Sequence, residues 1–271
     1  MDNNETGGFT TDLMKRERLK FLVTNDDGYQ SLGIRVIKEI LESRGEVVIV
    51  APDKEMSATS HSLTLSRPLR VNRHEQGVFS VDGTPTDCVM LAVNGLVSDR
   101  PDFLVSGINH GANLGDDVTY SGTVAAAIEG TLLGIPSIAV SFASRDLRYL
   151  PEWHTPLQRI LEQITTKNIP KDTLLNVNLP PIPVGRSRGV KSTTLGKRIY
   201  QDAVQANRDD AGQIYYWIGG QKIQWKGNNS SDFVAIKEGF VSITPLHLDL
   251  TDYRTLEELS GWGITYPKED N

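Results

Sequence analysis

Regular structure begins in this sequence with the run Lys20-Phe21-Leu22-Val23-Thr24-Asn25-Asp26-Asp27-Gly28. Phe21-Leu22-Val23 is a short continuous apolar run, the pattern of a strand buried on both faces; a half-exposed strand would alternate. Beyond Gly28, Ile34, Ile37, Ile40 and Leu41 recur at helical spacing, and Gly45 closes that helix. Val47-Val48-Ile49-Val50-Ala51 is a second buried strand, ended by Pro52. Strand, helix, strand is a βαβ unit, which implies parallel neighbours and a right-handed crossover.

The alternation continues. Thr84-Pro85-Thr86-Asp87 reads as a cap, a proline at the first helical position and an acid in the first turn, opening a helix through about Val97. Phe103-Leu104-Val105 is a strand, Thr123–Leu133 a helix with an alanine-rich face, and Ile138-Ala139-Val140 a strand. Pro156–Thr166 follows as a helix and Leu174–Val177 as a strand. The expected fold is therefore α/β, a doubly wound, mostly parallel Rossmann-like sheet with helices on both faces. Two stretches break the pattern. Residues 63–83 read as an antiparallel excursion pairing Leu69–Val71 with Val78–Val81. Residues 189–250 read as β-rich and helix-poor, with strands at Ile214–Ile218, Ile223–Trp225, Phe233–Ile236 and Phe240–Thr244 and turns at Gly219-Gly220 and Gly227–Asn229. Asp252–Gly261 is a closing helix. The chain thus divides into a polar lead-in (1–18), an α/β core (19–188) and a β-rich C-terminal segment (189–271), either an appendage to the sheet or an arm that packs on another subunit.

Composition narrows the function classes. The 271 residues are 38% hydrophobic and 23% charged, with a formal net charge of −6 and one cysteine. That is too apolar for disorder. No apolar run approaches the roughly 18–20 residues of a membrane span; the longest, Ile135–Phe142, contains Pro136, Ser137 and Ser141. Cys88 alone makes neither a disulfide framework nor a cysteine-rich zinc site. The polar opening residues lack the apolar core of a secretory signal, so the expected address is the cytoplasm. Mild acidity argues against duplex nucleic acid as a partner but leaves anionic small substrates open, because local field outweighs net charge at a site.

Ligands of open α/β sheets sit at the carboxyl ends of the strands. Three successive exits are polar: Thr24–Gly28, Ala51–His61, and Ser106-Gly107-Ile108-Asn109-His110-Gly111-Ala112-Asn113-Leu114-Gly115-Asp116-Asp117. Asp26 and Asp27 are adjacent carboxylates that repel each other unless a positive group lies beside them. A divalent cation meets that need, and oxygen ligands suit magnesium or manganese better than zinc. Taken alone, the pair also fits two solvated turn aspartates with Gly28 supplying a positive φ. Asn109 and Asn113 lie in a glycine-rich run that lets backbone N–H groups approach an anion, although a surface loop has the same composition. Ser121-Gly122-Thr123 opens the alanine-rich helix, either as a phosphate site or as an ordinary N-cap. Ser57 is a hydroxyl ligand or a turn residue.

The dinucleotide glycine fingerprint, the phosphate-binding P-loop, the zinc-protease helix motif, the EF-hand loop and the nucleophile elbow are all missing. Of the five histidines, His110 and His247 fall near suggestive residues; His61, His74 and His154 read as structural. Lys191, Lys197 and Arg198 form a loose basic patch, either solvated surface or an attraction for a phosphorylated substrate.

Taken together, Val23–Gly28, Val50–Ser57, Ser62–Leu65, Gly83–Cys88, Ser106–Asn109 with Gly111–Gly115, and Tyr120–Val124 resemble the survival protein SurE family, and Gly239–His247 resembles its C-terminal signature. The match runs in order from about Lys20 to Thr251; Ala112, where many members have proline, and the lead-in depart from it. The resemblance implies a metal-dependent 5′(3′)-nucleotidase acting on nucleoside monophosphates, in some members also on short polyphosphate. It implies Asp26, Asp27, Ser57 and Asn109 as ligands of one divalent cation per subunit, magnesium or manganese. The catalytic residues are then Asp26 and Asp27, and Asn113, Ser121, Gly122 and Thr123 form the phosphate side. It also implies a homodimer or homotetramer with the C-terminal arm exchanged. The expected chemistry is phosphomonoester hydrolysis by water, with His110 or His247 protonating the leaving alkoxide. A nucleoside hydrolase would release free base and would want further acids before Asp26, which Val23-Thr24-Asn25 does not supply. A nucleotide sensor would have no need of a metal with open positions.

Overall fold

In the computed structural model, residues 18–201, 204–218 and 222–265 are described; most of the lead-in and the Gly219-Gly220 turn lie outside them. A strand buried on both faces sends alternate side chains into two layers. In β1 (Leu19–Thr24) Phe21 and Val23 enter one apolar cluster and Leu22 the other. Ser31 caps α1 (Leu32–Glu42), accepting from the Ile34 N–H, and the buried stripe is Ile34, Ile37, Ile40 and Leu41 as the spacing predicts. β2 (Gly45–Pro52) lies parallel to β1. The excursion is a hairpin of β3 (Val71–Glu75) and β4 (Val78–Val81), with Val71 opposite Val81 and β4 parallel to β2.

Thr84 opens α2 (Pro85–Leu91) with a reciprocal capping box: its hydroxyl accepts from the Asp87 N–H at 3.1 Å, and the Asp87 carboxylate accepts from the Thr84 N–H at 2.8 Å. A π turn over Ala92–Leu96 carries the chain toward β5 (Phe103–His110). Then come α3 (Gly122–Leu132), β6 (Ser137–Phe142), α4 (His154–Thr165) and β7 (Thr173–Leu179). α1 and α4 cover one face of the sheet through Ile34, Ile37, Leu157 and Leu161; α2 and α3 cover the other through Val89, Val124 and Ala126.

The C-terminal third contributes both to the sheet and outside it. β8 (Val190–Ser192) and β13 (Val241–His247) join the main sheet, whose nine strands run β3-β4-β2-β1-β5-β6-β7-β13-β8. β13 is antiparallel to β7. Between them, β9 (Lys197–Gln201) pairs with β12 (Lys222–Lys226), and β10 (Val204–Arg208) with β11 (Ile214–Ile218), as two further antiparallel ladders. One expectation is corrected: Phe233–Ile236 lies in the helix α5 (Asp232–Lys237). A short apolar run cannot be assigned by periodicity alone; the acid in its first turn, Lys237 in its last and Gly239 at φ +84° beyond its end are helix signals. The expected closing helix is present as α6 (Tyr253–Leu259), capped by Asp252. No helix among the described residues is long and apolar enough to cross a membrane.

Strand order reverses at β1: the chain goes to β2 on one side and returns to β5 on the other. This is the switch point at which an open α/β sheet forms its crevice, and the exits of β1, β2 and β5 all meet there.

Candidate functional site

The exit of β1 is held by Asn25, whose amide donates to the Gly28 carbonyl at 3.0 Å and to Ser31 Oγ at 2.7 Å. Gly28 takes φ +95°, a conformation open to glycine. The turn therefore presents Asp26 and Asp27 in different directions. Asp26 faces α3: its carboxylate accepts from the Thr123 hydroxyl and backbone N–H. It is only 4% exposed. Only glycine at position 122 permits that approach, since a Cβ there would sit 2.9 Å from Asp26 Cβ. Asp27 faces β5. Its Oδ2 accepts from the His110 backbone N–H at 3.1 Å, and His110 Nδ1 lies 3.3 Å from Oδ1.

Burial pushes the Asp26 carboxyl up to about 6, with the Thr123 hydroxyl opposing the rise and the Asp27 charge adding to it. Burial likewise pushes Asp27 up to about 6, opposed by the His110 N–H and by Arg145 and reinforced by Glu55. His110 is itself lowered by burial, so its ring is neutral at pH 7.

The β2 exit joins this pair through the Met56 N–H, which donates to the Asp26 carbonyl at 2.7 Å. Ser57 follows, its hydroxyl donating to Glu55 Oε1 at 2.7 Å. Ala58 and Ser60 adopt left-handed φ of 58° and 53°, a strain that persists only where surroundings over-determine it. Here Ser60 donates its N–H to the Tyr120 carbonyl at 3.2 Å and its hydroxyl to the Thr119 carbonyl at 2.6 Å. His61 Nε2 meets Glu129 Oε2 on α3 at 2.7 Å. At the β5 exit the pairing with β6 slips between Ser106 and Asn109, the kind of bulge that re-aims a side chain. The Asn109 amide N–H donates to the Gly111 carbonyl at 2.9 Å, which leaves Oδ1 as its ligating atom.

The donor set fits a hard divalent cation. Asp26 is buried and Asp27, the next residue of the same turn, is largely so, and neither meets a lysine or arginine at ion-pair distance among the described residues. A cation relieves that deficit, and Ser57 Oγ and Asn109 Oδ1 are neutral oxygens that could complete its shell. No cluster of three His, Cys, Asp or Glu side chains suited to a metal occurs among the described residues, so a cation would depend on such neutral oxygens and on water.

The remaining expected residues are placed differently from one another. Ser121 caps α3, accepting from the Val124 N–H at 3.1 Å. Asn113 is buried, and its amide donates to Ser141 Oγ at 2.8 Å near the end of β6. His247 is not at the site. β13 runs antiparallel to β7 and sets His247 opposite Thr173, the first residue of β7, at the far edge of the sheet. The basic patch also dissolves: Lys191 donates to the Asn229 carbonyl at 2.8 Å, and Arg198 pairs with Asp117. Glu55 and Arg145 were missed. Arg145 follows β6, a fourth strand exit on the same edge, and the exit rule that found Asp26 would have found it.

Comparison with known proteins identifies the family. The model of the Survival protein SurE family matches residues 21–202. A relative named 5′-nucleotidase SurE from Gemmatimonas aurantiaca is 49% identical over 248 residues, covering 90% of this chain and 98% of its own. Another of the same name from Geobacter metallireducens is 48% identical over 246 residues, covering 90% and 97%. The crystal structure of the SurE protein from Aquifex aeolicus superposes with a TM-score of 0.80 at 41% identity, over 89% of this chain and 98% of that one. With its switch-point carboxylates and this likeness along nearly all of its length, the chain belongs to the survival protein SurE family.

Proposed function

We propose that the chain is a divalent-metal-dependent 5′-nucleotidase, hydrolysing nucleoside monophosphates to nucleoside and inorganic phosphate. The observation that carries this reading is the Asp26–Asp27 pair at the switch point, Asp26 buried and Asp27 largely so, with no lysine or arginine at ion-pair distance among the described residues. The naming of close relatives supplies the reaction class. Asp26, Asp27, Ser57 and Asn109 would hold one magnesium or manganese ion per subunit, which when bound supplies Lewis acidity toward the phosphoryl group and toward water.

The other residues orient and hold. Thr123 fixes the Asp26 carboxylate, and His110 fixes that of Asp27 from two sides. Being neutral and bonded to Asp27, His110 serves orientation better than proton donation, which falls to water. The Ser121–Thr123 start of α3 directs its positive dipole end at Asp26 and the crevice, where phosphoryl oxygens would gather. Arg145 supplies a cation at the same edge. We assign a homodimer or homotetramer, because Tyr216, Trp217 and Ile218 on β11 stand 63%, 65% and 87% exposed, an apolar strand that contact with a second copy would cover. The single buried thiol, Cys88, suits the cytoplasm.

The test is phosphate and free-base release from a panel of 5′- and 3′-nucleoside monophosphates and short polyphosphate, first in EDTA and then in Mn²⁺ or Mg²⁺. Metal-dependent phosphate release, lost in Asp26→Asn, is expected. Free base without phosphate would replace this reading with a nucleoside hydrolase, and neither product with a binding protein.

A further inference from the structure

One span of chain begins on one site carboxylate and ends on the other. His110 binds Asp27 through its backbone and ring, and Thr123 binds Asp26. What holds the middle of that span comes from far away in the sequence. Asn178 on β7 grips the backbone of Asn113 at both ends: its Oδ1 accepts from the Asn113 N–H at 2.9 Å, and its Nδ2 donates to the Asn113 carbonyl at 3.0 Å. Asn176 donates to the same carbonyl at 2.8 Å. Two residues on, the Gly115 N–H donates to Asp232 Oδ2 at 2.7 Å.

Asp232 is fully buried and belongs to α5, in the C-terminal third. Its Oδ1 accepts from the Gly196 N–H at 3.0 Å and from the Phe233 N–H at 2.8 Å. It therefore ties the root of the β9–β12 ladder to the same span. Gly115 is packed so closely there that a Cβ would meet the Gly196 carbonyl oxygen at 2.7 Å and the Trp225 ring at 2.9 Å.

These residues are costly choices for a core. Strands buried on both faces present Val, Ile and Leu. β7 does so with Val177 and Leu179 but places Asn176 and Asn178, both fully buried, on the other side. An uncharged, apolar packing would stabilise the fold at least as well as the Asp232 carboxylate, which meets no lysine or arginine at ion-pair distance among the described residues. Conflicts of this kind between local chemistry and environment concentrate at functional sites.

We infer that Asn178 and Asp232 are positioning residues for the hydrolysis, acting through the backbone of 113–115 to set the span that bridges Asp26 and Asp27. The C-terminal segment thereby takes part in building the site. This inference rests on the nucleotidase reading above and deepens it.

The test compares Asn178→Leu and Asp232→Asn with Thr244→Val, a control in the same buried polar layer. Thr244 bonds to Thr193 and not to the span. AMP turnover at saturating Mn²⁺, Mn²⁺ binding to the metal-free protein by calorimetry, and Tm are measured together. Asn178→Leu and Asp232→Asn are expected to lower kcat/KM by roughly 10–100-fold, with KM for AMP raised. Mn²⁺ affinity changes by less, because β1 carries Asp26 and Asp27. Thr244→Val lowers Tm without that loss. Folded variants with kcat/KM equal to that of Thr244→Val would overturn the inference and leave the nucleotidase reading intact. A wild type that releases no phosphate overturns both. If both variants fail to fold, amide exchange in the wild type decides: Asn113 and Gly115 protected without ligand supports the clamp, and exchange at free-loop rates refutes it.

Discussion

Gly122→Ala is the smallest change that interrogates the site. The added methyl would lie 2.9 Å from Asp26 Cβ, 3.1 Å from Thr59 Oγ1 and 3.2 Å from Asp26 Oδ2. Carbon atoms settle at roughly 3.5–4.0 Å, so Asp26 or the start of α3 must move by about 0.6–1 Å. Asp26 has no free space to move into, being buried and bonded to Thr123, and Thr59 belongs to the strained loop that carries Ser57. Overpacking costs ~1–3 kcal/mol, offset by no more than ~1 kcal/mol of better helix propensity. A net loss of about 1–2 kcal/mol follows, small enough to leave the protein folded. The functional loss is larger. Misplacing a reacting group by most of an ångström costs on the order of 100-fold in turnover, and disturbing a ligand's support costs about 10–100-fold in metal affinity. The assays are Mn²⁺ calorimetry on the metal-free protein, phosphate release from AMP and a thermal melt. A folded Gly122→Ala protein with wild-type Mn²⁺ affinity and turnover would refute the claim that Asp26 is a ligand pressed against α3. Lost stability with unchanged affinity would reduce the contact to packing.

Protons should compete with the metal. Because Asp26 and Asp27 sit at about 6 against an ordinary 3.8, the folded metal-free protein holds protons there that the unfolded chain has released. The stabilisation this gives is complete below pH 3.8 and is lost as pH rises through 6, so the metal-free Tm should fall across that window while Mn²⁺ binding tightens. Below pH 6 the Mn²⁺ Kd should weaken by roughly tenfold per pH unit for each proton displaced, and a Kd flat from pH 5 to 7 would contradict the assignment. Thr123→Val removes the hydroxyl that stabilises the charged Asp26, a bond worth about 1.5–3 kcal/mol to an ionised group. The pH midpoint of Mn²⁺ binding should move upward, as read by the same calorimetry. His61→Ala frees the Ser57 loop from Glu129. Expected are a stability loss of at most about 1 kcal/mol and a several-fold weaker Mn²⁺ affinity; a melt that shifts without any change in affinity would remove the loop from the site.

The parts of the site legible in sequence were those encoded locally. A continuous apolar run, a polar turn and a helical stripe are each written within a few residues, and the rule that ligands gather at strand exits then led from β1 to Asp26 and Asp27. Glycine-rich Asn109–Gly115 stood out in the same way. What sequence could not deliver was encoded by contact across the chain. The Asn113–Asn178 bond spans 65 residues and the Gly115–Asp232 bond 117. In the sequence Asn178 lies one residue past the expected strand Leu174–Val177, with nothing local to mark its partner. His247 failed for a related reason. Its neighbours look suggestive, but direction within a sheet is a property of pairing, and the antiparallel course of β13 carries it to the wrong edge.

The same distinction bears on the C-terminal third. Its sequence loses the βα alternation at about residue 189, which suggests an appendage. Yet β13 and β8 complete the sheet that begins with β1, and Asp232 reaches the span between the two site carboxylates. In the assembly proposed above, the segment that meets the second copy also anchors that span, and so links the two physically. Whatever covers the exposed β11 strand also bears on the ladders whose root, Gly196, shares a carboxylate with Gly115. Removing the β10–β11 hairpin while leaving Gly196 and Asp232 in place would separate the two roles. Turnover that survives with the assembly broken would confine the site's requirement to that root, whereas turnover lost together with assembly would extend it to the hairpin itself.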